Sequence, residues 1–209
     1  MKELDINKFS NHLDLLKITL KEIEDSLKKI SLTFPLHKNE RIEWGIRLPI
    51  FLNSFYKFIF NKQKLPTQEE FYNYYISENK TIDLLKLTPD EKLGVKGRIF
   101  RTYPSLVRDF HFSKLLSKRK NNYEVIYNTN LDVQEGIDLL IKKGTENIAI
   151  NLYTNTKRAI EARKKKGNRH TVYSNIKYID LPVNFKGSFK LGDFFLYGND
   201  DADNLDKLL

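Results

Sequence analysis

The sequence predicts an α+β protein: a helical N-terminal region over residues 1–87, then a mixed β-sheet core flanked by helices over residues 88–209. Three observations carry that reading. Apolar residues near the start recur at steps of three and four, the period of a helix face. Two stretches, Thr67 with Glu70 and Thr88 with Glu91, have the spacing of a capping box at a helix start. After Tyr123 come short apolar runs bounded by turn residues, the mark of strands. At 209 residues the chain is long enough for a proper core.

In chain order, Phe9, Leu13, Leu16, Leu20, Ile23, Leu27 and Ile30 alternate steps of four and three, a heptad seam. Glu24 with Lys28 and Asp25 with Lys29 add i,i+4 pairs. Leu15 and Ile18 broaden the apolar face, so packing inside the chain and a homodimer seam both stay open. A helix over 43–60 follows, kinked or divided by Pro49, whose ring excludes an i−4 bond. The Thr67 box opens a helix to about Glu78, whose aromatics Phe71, Tyr72, Tyr74 and Tyr75 read as packing residues. The Thr88 box, with Pro89 at the first helical position, opens a helix that ends before Pro104. Pro104 starts another, closed by the basic cluster Lys118-Arg119-Lys120.

Residues 123–128 form the first strand. The runs 137–141 and 148–152 flank the polar turn Lys142-Lys143-Gly144-Thr145, a hairpin pattern. If Gly144 and Thr145 make a two-residue loop, Lys143 faces Glu146 and Asp138 lies opposite Asn151. Side chains across such a pair are about 5 Å apart, so these two oxygen-bearing groups could share one cation. A one-residue slip would separate them. A basic helix follows, capped by Thr154 or Thr156 and stopped at Gly167. Residues 175–181 and 190–197 complete the sheet, with Pro182 and Gly187 in their connection, and the tail after Gly198 is frayed or a short helix.

Charge narrows the partner. There are 36 Lys and Arg against 27 Asp and Glu, a net charge of +9. Lys157, Arg158, Arg163, Lys164, Lys165, Lys166 and Arg169 hold much of the excess, against the single acid Glu161. Such a surface suits a phosphate-bearing partner, because Lys and Arg displace counterions from a nucleic-acid backbone. The plainer alternative is a solvated lysine-rich helix. His170, beside Arg169, is a further candidate phosphate contact. The absence of cysteine excludes thiol catalysis and cysteine-held zinc and fits a reducing cytoplasm. No apolar stretch is long enough to span a membrane. No Gly-x-Ser-x-Gly elbow or phosphate-cradling glycine loop is present, which argues against a serine hydrolase or a nucleotide hydrolase.

The order of a strand with Asp138, a turn, a strand with a polar pair and then a helix resembles the PD-(D/E)XK nuclease superfamily, the fold of many restriction endonucleases. Ile137-Asp138 stands for the "PD" and Asn151-Leu152-Tyr153 for the "(D/E)XK". The sequence departs from the motif twice, with asparagine in place of the second carboxylate and tyrosine in place of the lysine. Members exist in which the lysine has moved to the following helix, and Lys157 is the matching position. The resemblance covers roughly residues 104 to 197. It implies a restriction-endonuclease-like core, with Asp109 or Glu124 as sources of a third oxygen ligand.

The leading functional expectation is therefore a DNA endonuclease using Mg²⁺, or Mn²⁺, held by Asp138 and Asn151. Asp138, Asn151 and Lys157 are its catalytic candidates. Double-stranded DNA is the expected partner, met by Lys157, Arg158, Arg163, Lys164, Lys165, Lys166, Arg169 and His170, with a homodimer as the expected assembly. Two alternatives stand beside it: a nucleic-acid-binding protein of the same fold that has lost cleavage, and a helical module whose basic helix meets an acidic protein.

Overall fold

The seven apolar residues spaced at four and three do not form one helix. The computed structural model describes residues 2–80, 84, 86–119, 122–157, 160–161, 171–185 and 188–209. In it the first segment makes single turns at Ile6–Lys8 and His12–Leu15, and an α-helix, α1, only over Leu20–Leu27. Local polar chemistry interrupts the repeat. Asp5 accepts from the Asn7 N–H and Asn11 from the Leu13 N–H, so each caps a short turn. Asn11 Nδ2 also donates to Val125 O at 3.1 Å, and its Oδ1 accepts from the Tyr127 N–H at 3.2 Å. Leu13, Leu16, Ile23 and Leu27 are all buried within the chain, so they offer no seam to a second copy.

The chain forms two compact units, each discontinuous in sequence. One comprises Met1–Leu20, Arg108–Lys190 and Phe195–Leu209, the other Lys21–Val107 and Leu191–Phe194. In the second, Pro49 divides the expected 43–60 helix into a wide turn at Arg41–Gly45 and α2, Phe51–Lys62. The first capping box forms with both reciprocal bonds and opens α3, Gln68–Glu78. Phe71 and Tyr75 are fully buried, and Phe55 sets its ring edge-on to Phe71 at 5.5 Å, so both act as packing residues.

The second capping box forms as well, with Thr88 N–H donating to Glu91 Oε2 at 2.8 Å and Glu91 N–H to Thr88 Oγ1 at 3.2 Å. The helix it opens, α4, spans Pro89–Lys118 and continues through Pro104 instead of ending there. Proline removes the bond that the carbonyl four residues earlier would accept, a loss of about 3 kcal/mol in a helix interior. That carbonyl, Phe100 O, receives the buried Gln68 Nε2 at 2.9 Å instead. Gln68 is itself held by Thr33, whose N–H donates to Oε1 at 2.8 Å and whose carbonyl accepts from Nε2 at 3.0 Å. A tertiary side chain thus replaces the missing helical donor.

The other unit carries the sheet, with β1 (Glu124–Ile126), β2 (Leu139–Lys143), β3 (Glu146–Thr154) and β4 (Lys177–Val183) in the order β1-β2-β3-β4. The first two pairings are antiparallel and β3 with β4 is parallel, so the α+β class and mixed sheet are as the sequence predicts. The hairpin register is also the expected one, with Lys143 opposite Glu146 and Leu139 opposite Ile150. Gly144 has φ +59°, a conformation that side chains with a Cβ rarely adopt.

Two strand expectations need correction. The last strand runs through Pro182 to Val183, because β4 lies at the sheet edge, where a missing N–H costs no ladder bond. Residues 190–197 do not complete the main sheet. They contribute to a separate hairpin of β5 (Phe189–Leu191) and β6 (Phe194–Leu196), which turns at Gly192 with φ +57°. The tail forms α5, Asn199–Leu208, whose Asp201 accepts from the Gly198 N–H. Ile126, Leu140 and Ala149 share one sheet face and pack with Leu4, Ile6, Leu131, Tyr173 and Ile176 as a core. Among the described residues no helix is long and apolar enough to cross a membrane.

Candidate active site

Asp138 and Asn151 come together where the β2–β3 ladder stops. Continuing the register one step past Leu139 and Ile150 brings Asp138 opposite Asn151, but the chain bends at Asp138 and the strand proper has ended. The carboxylate then stands in for a backbone acceptor, with Oδ2 accepting from the Leu152 N–H at 2.6 Å. This bond fixes a half-buried acid beside residue 151, and a charge-assisted bond of that length is among the stronger kinds.

On its other side Asn151 meets a residue that the sequence reading missed. Asn151 and Asp180 are partners in the parallel β3–β4 register, and Asn151 Nδ2 donates to Asp180 Oδ1 at 2.9 Å. A signal for Asp180 was present: the triplet Ile137-Asp138-Leu139 recurs as Ile179-Asp180-Leu181, an acid inside an otherwise apolar strand. The two acids thus approach β3 from its two neighbouring strands, at Leu152 and at Asn151.

The backbone here is held from beneath by a tyrosine. The buried Tyr197 hydroxyl accepts from the Tyr153 N–H at 3.0 Å and lies 2.9 Å from Leu181 O and 3.2 Å from Tyr153 O, the carbonyls to which it can donate. Burial pushes this hydroxyl well above its ordinary value, and the nearby carboxylates of Asp109 and, more weakly, Asp138 add to the shift. Asp109 is raised as well, by burial, with the adjoining Arg108 guanidinium opposing the shift from 3.1 Å. Arg108 also lies over the Tyr197 ring, 5.8 Å from its centroid. Of the two acids considered for a third ligand, Asp109 therefore neighbours this cluster. Glu124 pairs with Lys142 at the opposite end of β2.

Lys157 is exposed, three residues past the end of β3. Arg158, Arg163, Lys164, Lys165, Lys166, Arg169 and His170 lie outside the described residues, as do Gly167 and Gly187. Thr156 O accepts from the Ile160 N–H at 3.0 Å, a helical bond where the basic helix was expected to begin. A cleft of about 390 Å³ lined by Glu3, Asp5, Asn7, Lys142, Asn147 and Asn175 sits at the Lys142 end of the sheet, away from Asp138.

Among the described residues, the side-chain oxygens around residues 151–152 are the carboxylates of Asp138 and Asp180 and the Asn151 amide oxygen. Such donors suit a hard cation of the Mg²⁺ type. Among the described residues no three His, Asp or Glu side chains gather closely enough to hold a metal by themselves.

The family model of the TaqI restriction endonuclease matches residues 1–187, most of the chain. Neither a curated protein nor a solved structure gives a significant match.

Proposed function

The chain belongs to the TaqI restriction endonuclease family, and we propose that it is a metal-dependent endonuclease hydrolysing phosphodiester bonds of double-stranded DNA. Asp138 stands at the centre of the proposed site. One observation carries this reading: a half-buried carboxylate is tied at 2.6 Å to the backbone beside Asn151, where β2 ends.

In this reading Asp138 and the amide oxygen of Asn151 would hold Mg²⁺, or Mn²⁺ in its place. The ion, when bound, supplies an activated water and neutralises charge developing on the phosphate. Two side-chain ligands alone would hold such an ion weakly, so weak binding is expected in the absence of DNA. Lys157 takes the role of the lysine that Tyr153 cannot fill, placing a positive charge against the scissile phosphate. Tyr197 holds the Tyr153 backbone rigid beneath the site, and preorganisation of that kind lowers the cost of reaching the transition state. Arg158, Arg163, Lys164, Lys165, Lys166, Arg169 and His170 contact phosphates and set the position on the duplex without reading its sequence. Cutting both strands favours two chains on one site, so a homodimer belongs to the proposal, through a surface other than the Leu13 to Leu27 seam. The setting proposed is the cytoplasm.

The absence of the motif's second carboxylate and lysine at Asn151 and Tyr153 favours one alternative, a member of the family that binds DNA without cutting it. A cleavage assay on mixed-sequence DNA with Mg²⁺, Mn²⁺ or EDTA separates the two. The endonuclease reading expects cutting that EDTA abolishes. Binding without cutting under every metal condition favours the alternative.

A further inference from the structure

Asn151 sits where the motif places an acid, and across the β3–β4 pair it faces an acid that the motif does not include. A carboxylate accepts hydrogen bonds and does not donate them, whereas an amide has one arm of each kind. The bond from Asn151 Nδ2 to Asp180 Oδ1 therefore fixes which way round the amide stands. Its nitrogen arm faces β4, which leaves the oxygen arm outside that bond. An aspartate at 151 would instead set two carboxylates at hydrogen-bond distance, and like charges so close cannot both ionise cheaply.

We propose that Asp180 is a positioning residue of the active site: it orients the Asn151 amide so that its oxygen serves as a ligand, and the two side chains together replace the acid missing from β3. The inference rests on the endonuclease reading above. It accounts for the asparagine as part of a donor–acceptor pair spanning two strands. The exchange variant is informative, because Asn151→Asp with Asp180→Asn keeps one acid, one amide and one hydrogen bond, with the carboxylate returned to β3.

The test compares Asp180→Ala, Asp180→Val, Asp180→Asn, Asn151→Asp, the double exchange and Asp138→Ala, with thermal melts to confirm folding. Asp180→Ala, which removes the acceptor of Asn151 Nδ2, is expected to lower kcat about 100-fold, the scale of a displaced catalytic group, with little change in KM for DNA, and Asp180→Asn, whose amide oxygen can still accept that bond, is expected to lower it less. The double exchange is expected to cut faster than Asn151→Asp alone, a recovery that simple loss of packing would not give. A readout without metal or turnover is the Asn151 side-chain amide signal in NMR, identified by its disappearance in Asn151→Asp. It is expected to shift in Asp180→Ala, or in Asp180→Val if the alanine variant does not fold. If Asp138→Ala is inactive while Asp180→Ala or Asp180→Val cuts at the wild-type rate with an unmoved amide signal, the positioning role is overturned and the endonuclease reading stands. If Asp138→Ala cuts normally, both fall.

Discussion

The helical unit and the sheet unit both bury tyrosines, and they use the hydroxyls differently. Tyr75 donates to Pro49 O at 2.9 Å and Tyr103 donates to Pro66 O. Each of these carbonyls lies just ahead of a helix, α2 or α3, so the bonds lock the way a helix begins. Tyr197 in the sheet unit instead binds the backbone of Tyr153 and Leu181, in two adjacent strands, next to the pair Asn151 and Asp180. The same buried phenol secures architecture in one unit and candidate chemistry in the other. What separates the two uses is the neighbourhood: around Tyr197 stand Asp109, Asp138 and Arg108, charged groups that need a reason to be kept partly out of water.

The largest expected effect sharpens that contrast at its centre. Asp138→Ala should reduce cleavage by at least about 1000-fold, more than 4 kcal/mol of transition-state stabilisation, while DNA affinity measured in EDTA stays within a few-fold of wild type. Lys157→Ala should slow cleavage by about 100-fold or more. Single-turnover rates with saturating protein separate these effects from binding. A normal rate in Asp138→Ala would move the chemistry elsewhere in the chain.

A matched pair of hydroxyl deletions tests the comparison directly. Tyr197→Phe and Tyr103→Phe should each cost roughly 1–3 kcal/mol of stability, since each leaves a buried polar group without its partner. Only Tyr197→Phe should also slow cleavage per folded molecule, by about 10- to 100-fold, through the loosened backbone at Tyr153. Urea unfolding together with rates measured well below the unfolding midpoint gives both numbers. Equal rates in the two variants would reduce Tyr197 to an architectural tyrosine like Tyr103.

What the sequence could and could not reveal follows the range of the interactions. The Lys143–Glu146 register was legible because a two-residue loop with glycine fixes the pairing within a few residues. Both capping boxes were legible for the same reason. The pairing of Asp180 with Asn151 was not, because it is parallel and spans 29 residues, a distance over which no periodicity records the register. The heptad seam failed because Asn11 and Asp5 prefer to cap short turns, and Asn11 docks on the residues of β1, contacts far away in sequence. The continuous α4 was hidden because its repair at Pro104 comes from Gln68 on another helix.

That repair supplies the third prediction, confined to the helical unit. Gln68→Ala removes the donor to Phe100 O and strands a buried carbonyl, at a cost of about 1–3 kcal/mol. Restoring the helical donor with Pro104→Ala should recover part of the loss, since the Phe100 carbonyl regains its i+4 partner. The double-mutant cycle reads this as a coupling between the two positions. Strict additivity would show that Phe100 O does not depend on Gln68.

The smallest effect concerns pH and belongs to the sheet unit, where a histidine takes part in docking the N-terminal segment. Burial holds the His12 imidazole below its ordinary value of 6.5, and its Nδ1 accepts from the Thr129 N–H at 3.3 Å, a bond that requires the lone pair. The unfolded chain therefore takes up the proton first as pH falls. Stability is retained above the ordinary histidine value and declines as pH drops through it toward the lower folded value. Asp109, raised by burial, acts in the opposite sense, since its neutral form is the one the fold favours and stability gains as pH falls through its folded value. A His12→Gln variant isolates the imidazole from that opposing contribution. Urea midpoints at about pH 7.5 and about pH 5.5 should fall further in the wild type than in the variant. The bonds of Gln68, Tyr75 and Tyr103 contain no group that titrates between those values, so hydrogen exchange should locate the loss in the sheet unit and leave the helical core protected. An equal decline in both units would show that His12 is not its source.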